Sequence, residues 1–236
     1  MNATETLVRC WDVARTYGHG VNAVVAVHGA NCEIRDGNRV AIMGPSGSGK
    51  STLLHLMAGL ERPTSGEVSW PWLGGPATPR DIGVVFQSPS LIPALNIAEN
   101  TALPLILAGA AEATADRRAA QALDRLGIED LADRLPEELS GGQAQRVAVA
   151  RVLALQPRLI LADEPTGQLD RNTGRHVIDV LLATAAELRA ALVVTTHDPT
   201  VGERFADRWP MHDGRLLPPD SPGPGLVARH GQGGSP

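Results

Sequence analysis

A glycine-rich loop with a single lysine lies between a short apolar run and a helix-like run. It reads GPSGSGKS and fits the pattern G-x-x-x-x-G-K-[ST], in which glycines let backbone N–H groups converge on phosphate oxygens. The positive end of the following helix adds to this attraction. The lysine would reach the β- and γ-phosphates, and the last serine would offer a hydroxyl to Mg²⁺. The predicted phosphate-binding residues are Gly44, Pro45, Ser46, Gly47, Ser48, Gly49, Lys50, Ser51 and Thr52.

The alternative is a flexible turn without a ligand. A short strand-like run, Arg39–Met43, precedes the loop, and a helix-like run, Thr52–Leu60, follows it. Strand, complete pattern and helix in this order favour a nucleoside triphosphate site. The loop alone does not tell whether the protein is a kinase, a GTPase or a motor.

Two adjacent carboxylates end another apolar run, LILADE at residues 159–164. Asp163, at the end of this predicted strand, would reach the shell of a magnesium ion bound beside the phosphates. Glu164 would accept a proton from an attacking water or orient it. The structural alternative is a strand end capped by solvated charge. A kinase has no need of the second carboxylate, since its nucleophile is the substrate hydroxyl, and this favours hydrolysis.

The segment LSGGQ, residues 139–143, precedes a helical run that stops before Pro157. Ser140 and Gln143 fit a capping box, which explains the segment as helix-start chemistry alone. Two glycines in a first turn nevertheless weaken a helix, unless another group must approach the backbone closely. The helix start is also a second anion site. Two copies arranged head to tail would let this site, formed by Ser140, Gly141, Gly142 and Gln143, close over the partner's nucleotide.

These loops need a scaffold, and the apolar runs supply one. Runs at residues 39–43, 82–86, 159–162 and 192–196 are short and continuously apolar, as in a parallel sheet covered on both faces. Helical stretches lie between them, so the predicted class is α/β. Residues 7–35 contain valine-rich strand-like runs, and Asp36-Gly37 predicts a tight turn. Residues 91–139 read as helical, with helices expected at 96–107 and 113–126.

Composition restricts the kind of protein. The chain has 236 residues, of which 43% are hydrophobic and 20% charged, as in a soluble globular protein. Its net charge of −5 argues against nucleic-acid binding by bulk charge. Cys10 and Cys32 have no metal-type spacing, so inert thiols in a reducing compartment are expected. No apolar targeting segment or 18-residue apolar window is present, which predicts a cytosolic chain unless a partner holds it at a membrane.

Together these motifs resemble the nucleotide-binding subunit of ABC transporters over residues 7–217. The phosphate loop resembles the Walker A motif, residues 139–143 match the family signature, and residues 159–164 resemble Walker B with Glu164 as the catalytic carboxylate. The resemblance implies a Mg²⁺ and water contact for Gln87 and a γ-phosphate contact for His197. It further implies that Tyr17 stacks on adenine and that residues 167–170, ending in Asp170, form the D-loop.

The resemblance also implies the architecture and the ligands. It implies a P-loop NTPase fold with a RecA-like parallel sheet core, an N-terminal antiparallel β subdomain and a helical subdomain at about residues 91–150. Residues 1–217 would form the ATPase domain, and the Pro/Gly-rich residues 218–236 a disordered tail. The implied ligands are ATP and Mg²⁺, the latter held by Ser51, Gln87 and Asp163. The implied partners are a second copy or a paired ABC ATPase and an integral membrane permease at the cytoplasmic face of the plasma membrane, with no nucleic acid.

Within the family, the stretches 86–93, 98–100 and 165–170 look most like the macrolide-exporter and lipoprotein-release ATPases and the cell-division ATPase. Two features depart from that branch: a shortened segment between residues 68 and 82, and Gln168 where asparagine is common. Three functions are considered: a transporter or membrane-remodelling subunit, a mechanotransmitting ATPase that moves no substrate, and a soluble ABC ATPase acting on DNA or ribosomes. The third is disfavoured by the charge and by the lack of coiled coils or a second cassette.

Overall fold

The computed structural model describes residues 5–73 and 81–217. Its strands are β1 (Thr6–Tyr17), β2 (Val24–Arg35), β3 (Arg39–Met43), β4 (Ser65–Ser69), β5 (Ile82–Val85), β6 (Leu159–Asp163), β7 (Ala191–Thr196), β8 (Asp207–His212) and β9 (Arg215–Leu216). Its α-helices are α1 (Lys50–Met57), α2 (Ile97–Leu107), α3 (Glu112–Arg125), α4 (Gly141–Leu155), α5 (Arg171–Leu188) and α6 (Pro199–Gly202). Short 3₁₀ helices span Gly20–Asn22, Glu129–Leu131 and Pro136–Glu138.

The larger sheet has the order β5-β6-β7-β3-β8-β9 in the described part of the chain. β5, β6, β7, β3 and β8 pair in parallel, and β9 returns antiparallel to β8. The four apolar runs of the sequence form β3, β5, β6 and β7, as predicted; β3, β6 and β7 are central, and β5 lies at one edge. Alternate residues enter different cores: Ile160 and Ala162 face one, whereas Leu159 and Leu161 face the other. The sheet is therefore covered on both faces, which explains the unbroken apolar runs.

The carboxyl ends of the parallel strands share one edge of this sheet. β3 leads into the phosphate loop, β5 leads to Gln87, β6 ends at Asp163 and Glu164, and β7 leads to His197. Ligand sites of open α/β sheets form at this edge. The topology thus brings loops that are far apart in sequence to one place.

The smaller sheet is antiparallel, with the order β2-β1-β4. Its strands β1 and β2 are longer than the short runs that the sequence predicts, because the pairing between them continues across bulges. One register shift lies between Cys10 and Val13, where Asp12 adopts a φ of 47°. The predicted turn at Asp36-Gly37 is present, with Gly37 at a φ of 73°, but it joins β2 to β3 in the other sheet.

The segment after β5 is helical, as predicted, and α2, α3 and α4 pack on one another. α2 begins one residue later than expected because Asn96 caps it. The Asn96 side chain accepts the Glu99 N–H at 2.8 Å, and the Glu99 carboxylate accepts the Asn96 N–H at 2.8 Å. The subdomain and domain boundaries remain predictions.

Cys10 and Cys32 are free thiols and lie opposite each other on β1 and β2. The Cys10 hydrogen bond and burial raise the pKa of the Cys32 thiol well above its ordinary value. The predicted tail at residues 218–236 lies outside the described residues. In the two described ranges, none of the helices combines the length and the apolar character that a bilayer crossing requires.

Candidate nucleotide site

The phosphate loop curls between β3 and α1. Two of its positions require glycine because a neighbouring backbone carbonyl lies too close for a side chain. Gly49, which caps α1, has a φ of 98°, and a Cβ there would lie 2.1 Å from the carbonyl oxygen of Ala26. A Cβ on Gly44 would lie 2.0 Å from the carbonyl oxygen of Met211. α1 begins at Lys50, so the first N–H groups of the helix lack intrahelical partners. The loop and helix start therefore offer N–H groups to an anion.

Lys50 is buried in the loop among oxygen atoms. Its Nζ donates to the carbonyl oxygens of Gly44 at 2.9 Å and Pro45 at 3.0 Å. It also lies 3.5 Å from Glu164 Oε1, and its side chain is only 5% exposed. The cation is thus held by backbone carbonyls and by the carboxylate predicted to be catalytic.

Asp163 and Ser51 meet across the sheet edge. Ser51 Oγ donates to Asp163 Oδ1 at 2.9 Å, and Asp163 is buried at the end of β6. A hydroxyl and a carboxylate this close form an all-oxygen donor set, which is the kind Mg²⁺ prefers. The two residues therefore fit the predicted metal role.

Glu164 is buried and has an unusual backbone, with a φ of 45°. This left-handed conformation is uncommon for a residue with a side chain. It allows the carboxylate to lie between two cations or potential cations, since Oε2 is 2.9 Å from His197 Nδ1 and Oε1 faces Lys50. Which ring nitrogen of His197 carries a proton depends on its tautomer. The carboxylate can accept a proton from a water and is linked to the histidine.

His197 is held from the loop that follows β7. The Asp198 N–H donates to Thr196 Oγ1 at 3.0 Å, and the Asp198 carboxylate accepts the N–H and hydroxyl of Thr200. The two bonds from Thr200, the backbone N–H first and then the hydroxyl, lower the pKa of Asp198. The loop is therefore fixed on both sides of the histidine, while the ring itself is exposed.

Most of these groups line one pocket of about 410 Å³, within the usual range for small-molecule sites. The predicted site residues Gly44, Ser48 and Asp163 are not part of its lining. The sequence did not single out Ala26, which also lines it. The predicted residues brought together there are Pro45, Ser46, Gly47, Gly49, Lys50, Ser51, Thr52, Gln87, Glu164 and His197. We refer to it as the nucleotide pocket. A larger cavity of about 530 Å³ lies near Asp170 and Asp198, but it lacks a glycine loop, so its size does not make it the nucleotide site.

The signature residues do not line the nucleotide pocket of their own chain. The predicted capping box is present: Ser140 Oγ accepts the Gln143 N–H at 3.3 Å, and Gln143 Oε1 accepts the Ser140 N–H at 2.8 Å. The close neighbours of the two glycines belong to residues 167–170. A Cβ on Gly142 would come 3.3 Å from Leu169 Cδ2, so a side chain of the same chain lies against this glycine. The approach of an anion to this helix start remains a prediction.

Asp170 and Tyr17 also lie outside the lining of the pocket. Asp170 caps α5, and the hydroxyl and N–H of Thr173 lower the pKa of its carboxyl. Tyr17 ends β1 and is 37% exposed, with the Arg15 guanidinium 4.6 Å from its ring centroid. Arg15 is in turn paired with Glu61 at 2.7 Å. The adenine role of Tyr17 remains a prediction.

Sequence reasoning missed two polar residues that connect these elements. Gln145 on α4 donates to the carbonyl oxygen of Phe86 at 3.2 Å, next to Gln87. Thr195 on β7 contacts both Asp163 and Glu164. Both are buried polar side chains. For Thr195, the signal is a hydroxyl directly after the apolar run Ala191–Val194, whereas Gln145 lies among other polar residues of α4 and has no such signal.

Comparison with known proteins finds a family and relatives that cover most of the chain. The family model described as "ABC transporter" matches residues 27–167. The lipoprotein-releasing system ATP-binding protein LolD of Legionella pneumophila (strain Paris) is 40% identical over 211 residues, covering 86% of this chain and 93% of that protein. The uncharacterized ABC transporter ATP-binding protein YknY of Bacillus subtilis (strain 168) is 38% identical over 227 residues, covering 91% and 97%.

Among solved structures, the dimeric ATP-binding cassette MJ0796 in a post-hydrolysis state, bound to ADP and Pi, superposes with a TM-score of 0.84. It is 37% identical, and the match covers 91% of this chain and 98% of that one. Sequence, fold and site geometry agree. The chain belongs to the ABC transporter family and is an ATP-binding, ATP-hydrolysing subunit of that family.

Proposed function

We propose that two copies of this subunit, or this subunit and a paired ABC ATPase, close head to tail on Mg-ATP and drive a membrane permease that extracts lipoproteins or related molecules. The contact of Glu164 with both Lys50 and His197 in the nucleotide pocket carries the proposal. It places a buried proton acceptor beside the lysine that would hold the γ-phosphate.

Ser51 and Asp163 would hold Mg²⁺, with Gln87 joining from the end of β5. The 2.9 Å contact between the Ser51 hydroxyl and the Asp163 carboxylate supports this assignment. When bound, the ion would neutralise charge on the β- and γ-phosphates.

In the proposed reaction, the phosphates of ATP lie against the N–H groups of the phosphate loop, and Lys50 turns from the carbonyls of Gly44 and Pro45 toward them. Glu164 then accepts a proton from the attacking water, and His197 contacts the γ-phosphate and steadies the carboxylate. Hydrolysis needs a base at this position, since the nucleophile is water and not a substrate hydroxyl. Tyr17 would stack on adenine.

Dimerisation would complete the site. The signature residues and the phosphate loop of one chain do not share a pocket, and Ser140 and Gly141 are exposed. A second copy in head-to-tail orientation would bring its own Ser140–Gln143 helix start to the γ-phosphate, with Asp170 near the interface. The solved MJ0796 cassettes, described as dimeric, support a dimer.

A groove of about 340 Å³ is lined by residues of β5, α2 and α4 and by those that follow α1, and we propose that a segment of the permease occupies it. Leu60, on its wall, is 54% exposed although apolar. Arg151, also on the wall, donates to the carbonyl oxygens of Pro89 and Ser90, and burial lowers its pKa. These bonds link the groove to the segment that follows Gln87, so nucleotide contacts at Gln87 would reach the permease. We refer to it as the docking groove.

The names of the relatives favour lipoprotein release among the exporter functions, because LolD is named for a lipoprotein-releasing system. A mechanotransmitting ATPase that moves no substrate would use the same catalytic residues. The permease therefore decides between them, and substrate contacts would lie largely in that partner. The chain would work at the cytoplasmic face of the plasma membrane, held there by the permease.

The test is to purify tagged Glu164→Gln protein from native membranes with ATP and to identify the associated proteins. We expect a multi-span permease with a large extracytoplasmic domain. Leu60→Gln should reduce its recovery, whereas Trp11→Gln, which also replaces an exposed apolar residue by glutamine but lies outside the groove, should not. An importer-type permease with a solute-binding protein would contradict the exporter assignment, and ribosomal or DNA-bound partners alone would contradict the transporter function.

A further inference from the structure

Thr195 is a polar residue in the most buried part of the molecule. It lies near the end of β7, follows the apolar run Ala191–Val194, and is fully buried. A buried hydroxyl destabilises the fold unless it is hydrogen-bonded. Its partners therefore indicate why a hydroxyl is present at this position.

The strand register places this hydroxyl beside the first carboxylate. Thr195 is paired with Asp163 in the parallel ladder between β7 and β6, so both side chains leave the same face of the sheet. Thr195 Oγ1 donates to Asp163 Oδ1 at 2.5 Å. This is a short bond to a carboxylate, as expected for a charge-assisted hydrogen bond.

The same oxygen also contacts the second acidic residue. Thr195 Oγ1 accepts the N–H of Glu164 at 3.1 Å, and the Thr195 carbonyl oxygen accepts the same N–H at 3.2 Å. Glu164 has a left-handed backbone, a conformation that persists only where its surroundings hold it. Thr195 therefore holds the backbone of Glu164 through two acceptors.

The Asp163 carboxylate is fixed from two sides at one oxygen. Its Oδ1 accepts from Ser51 on α1 and from Thr195 on β7. Within residues 5–73 and 81–217, we find no hydrogen bond to Oδ2. The two donors thus set the orientation of the carboxylate and leave Oδ2 as the oxygen available to a ligand.

We propose that Thr195 is a positioning residue for hydrolysis, whose single hydroxyl orients Asp163 toward the metal and fixes the backbone that presents Glu164. This inference rests on the proposed roles of those two carboxylates. It predicts a defect in turnover and in the Mg²⁺ requirement, and no defect in metal-free nucleotide binding, because Thr195 is absent from the pocket lining. Mutation of a residue that orients a metal ligand typically lowers metal affinity or activity about 10–100-fold.

The experiment compares two pairs of variants that differ only by the hydroxyl. Wild type and Thr195→Val have similar side-chain volume, and Thr195→Ser and Thr195→Ala both lack the methyl group. We expect kcat to fall about 10–100-fold in the Val and Ala variants, with a higher Mg²⁺ concentration for half-maximal rate. The Ser variant should restore both values toward those of wild type, and the KM for ATP should change little.

A second readout does not depend on turnover. Nucleotide binding raises the melting temperature, and the part of that rise that requires Mg²⁺ should shrink in the Val and Ala variants. The rise with ATP in EDTA should match wild type. Thr101→Val is the control, since Thr101 is fully buried and its hydroxyl donates to the Ile97 carbonyl at 2.8 Å within α2, away from the pocket.

The outcomes separate the two proposals. Wild-type turnover and Mg²⁺ dependence in both Thr195→Val and Thr195→Ala would overturn the role of Thr195. An equal loss in Thr101→Val would overturn it too, since the effect would then be general destabilisation. If wild type itself does not hydrolyse ATP, the proposed function fails, and the Mg²⁺-dependent melting shift still decides whether Thr195 orients Asp163. If the Val variant does not fold, the Ser and Ala pair makes the same comparison.

Discussion

Replacing Glu164 by glutamine should separate ATP binding from ATP hydrolysis. The substitution keeps the shape of the side chain and its ability to accept a hydrogen bond from His197, but removes the negative charge and the basic oxygen. Loss of a positioned general base typically slows a reaction about 10²–10⁴-fold. We therefore expect turnover to fall by at least about 100-fold.

The effect on ATP affinity follows from the lysine contact. At 3.5 Å from Lys50 Nζ, a full negative charge on Glu164 attracts it by about 5 kcal/mol at an effective dielectric constant of about 20. Desolvation of the two buried groups offsets much of this gross attraction. Lys50 also keeps its bonds to the carbonyls of Gly44 and Pro45 in the variant. If the net attraction between Lys50 and Glu164 is about 1.4 kcal/mol in wild type, ATP must overcome it to bind Lys50. Its loss in the variant then tightens ATP binding about tenfold.

The assay measures phosphate release at saturating Mg-ATP and, separately, ATP affinity in EDTA by calorimetry. Glu112→Gln is the matched control, because it makes the same chemical change at an exposed residue in the first turn of α3. Turnover of Glu164→Gln within about tenfold of wild type would refute the general-base role. Affinity about tenfold weaker than wild type would refute the idea that Glu164 competes with ATP for Lys50.

Further predictions concern the glycine loop and the paired thiols. Gly49→Ala should abolish ATP-induced thermal stabilisation, because a Cβ would lie 2.1 Å from the Ala26 carbonyl oxygen. Gly47→Ala, with open space around its Cβ, should retain part of this stabilisation. The same ATP-induced shift in both variants would contradict the steric argument. At about pH 8, Cys32 should resist iodoacetamide in the folded protein, because its raised pKa keeps the thiol protonated and alkylation requires the thiolate. Mass spectrometry should find Cys32 and Cys10 labelled only after denaturation, and rapid labelling of folded Cys32 would show that the pKa is not raised.

The central strands were predictable because each is a short apolar run buried on both faces. β4, β8 and β9 were not, and their residues explain why. β4 reads SGEVS and is mostly exposed, so its strand conformation depends on pairing with β1 and not on its own pattern. β8 contains Asp207, Arg208 and Pro210, and it is a strand because β3 lies beside it. Such long-range pairing leaves little trace in a local pattern.

The residue types of the site were predictable from motif spacing, whereas their mutual contacts were not. The loop pattern identified Lys50, and the strand end identified Glu164, but nothing local indicates that they lie 3.5 Å apart. The contact depends on the β6–β7–β3 strand order and on the left-handed backbone of Glu164. Thr195 was not identified from the sequence for the same reason, since its role follows from a strand register that only the folded sheet defines.

The contacts of the isolated chain explain why hydrolysis would await both ATP and a partner. The predicted base, Glu164, is engaged by Lys50 and His197, and the phosphates of ATP would draw Lys50 away from it. The signature helix start, which we propose as a second anion site, does not line the nucleotide pocket, and Gln168 and Leu169 lie against its glycines. The carbonyl oxygen of Glu164 accepts the Gly167 N–H at 3.0 Å. Movement of residues 167–170 would therefore displace groups that contact both the signature glycines and Glu164. A partner that presses on this segment would act on both halves of the composite site, which is the physical basis for coupling closure to hydrolysis.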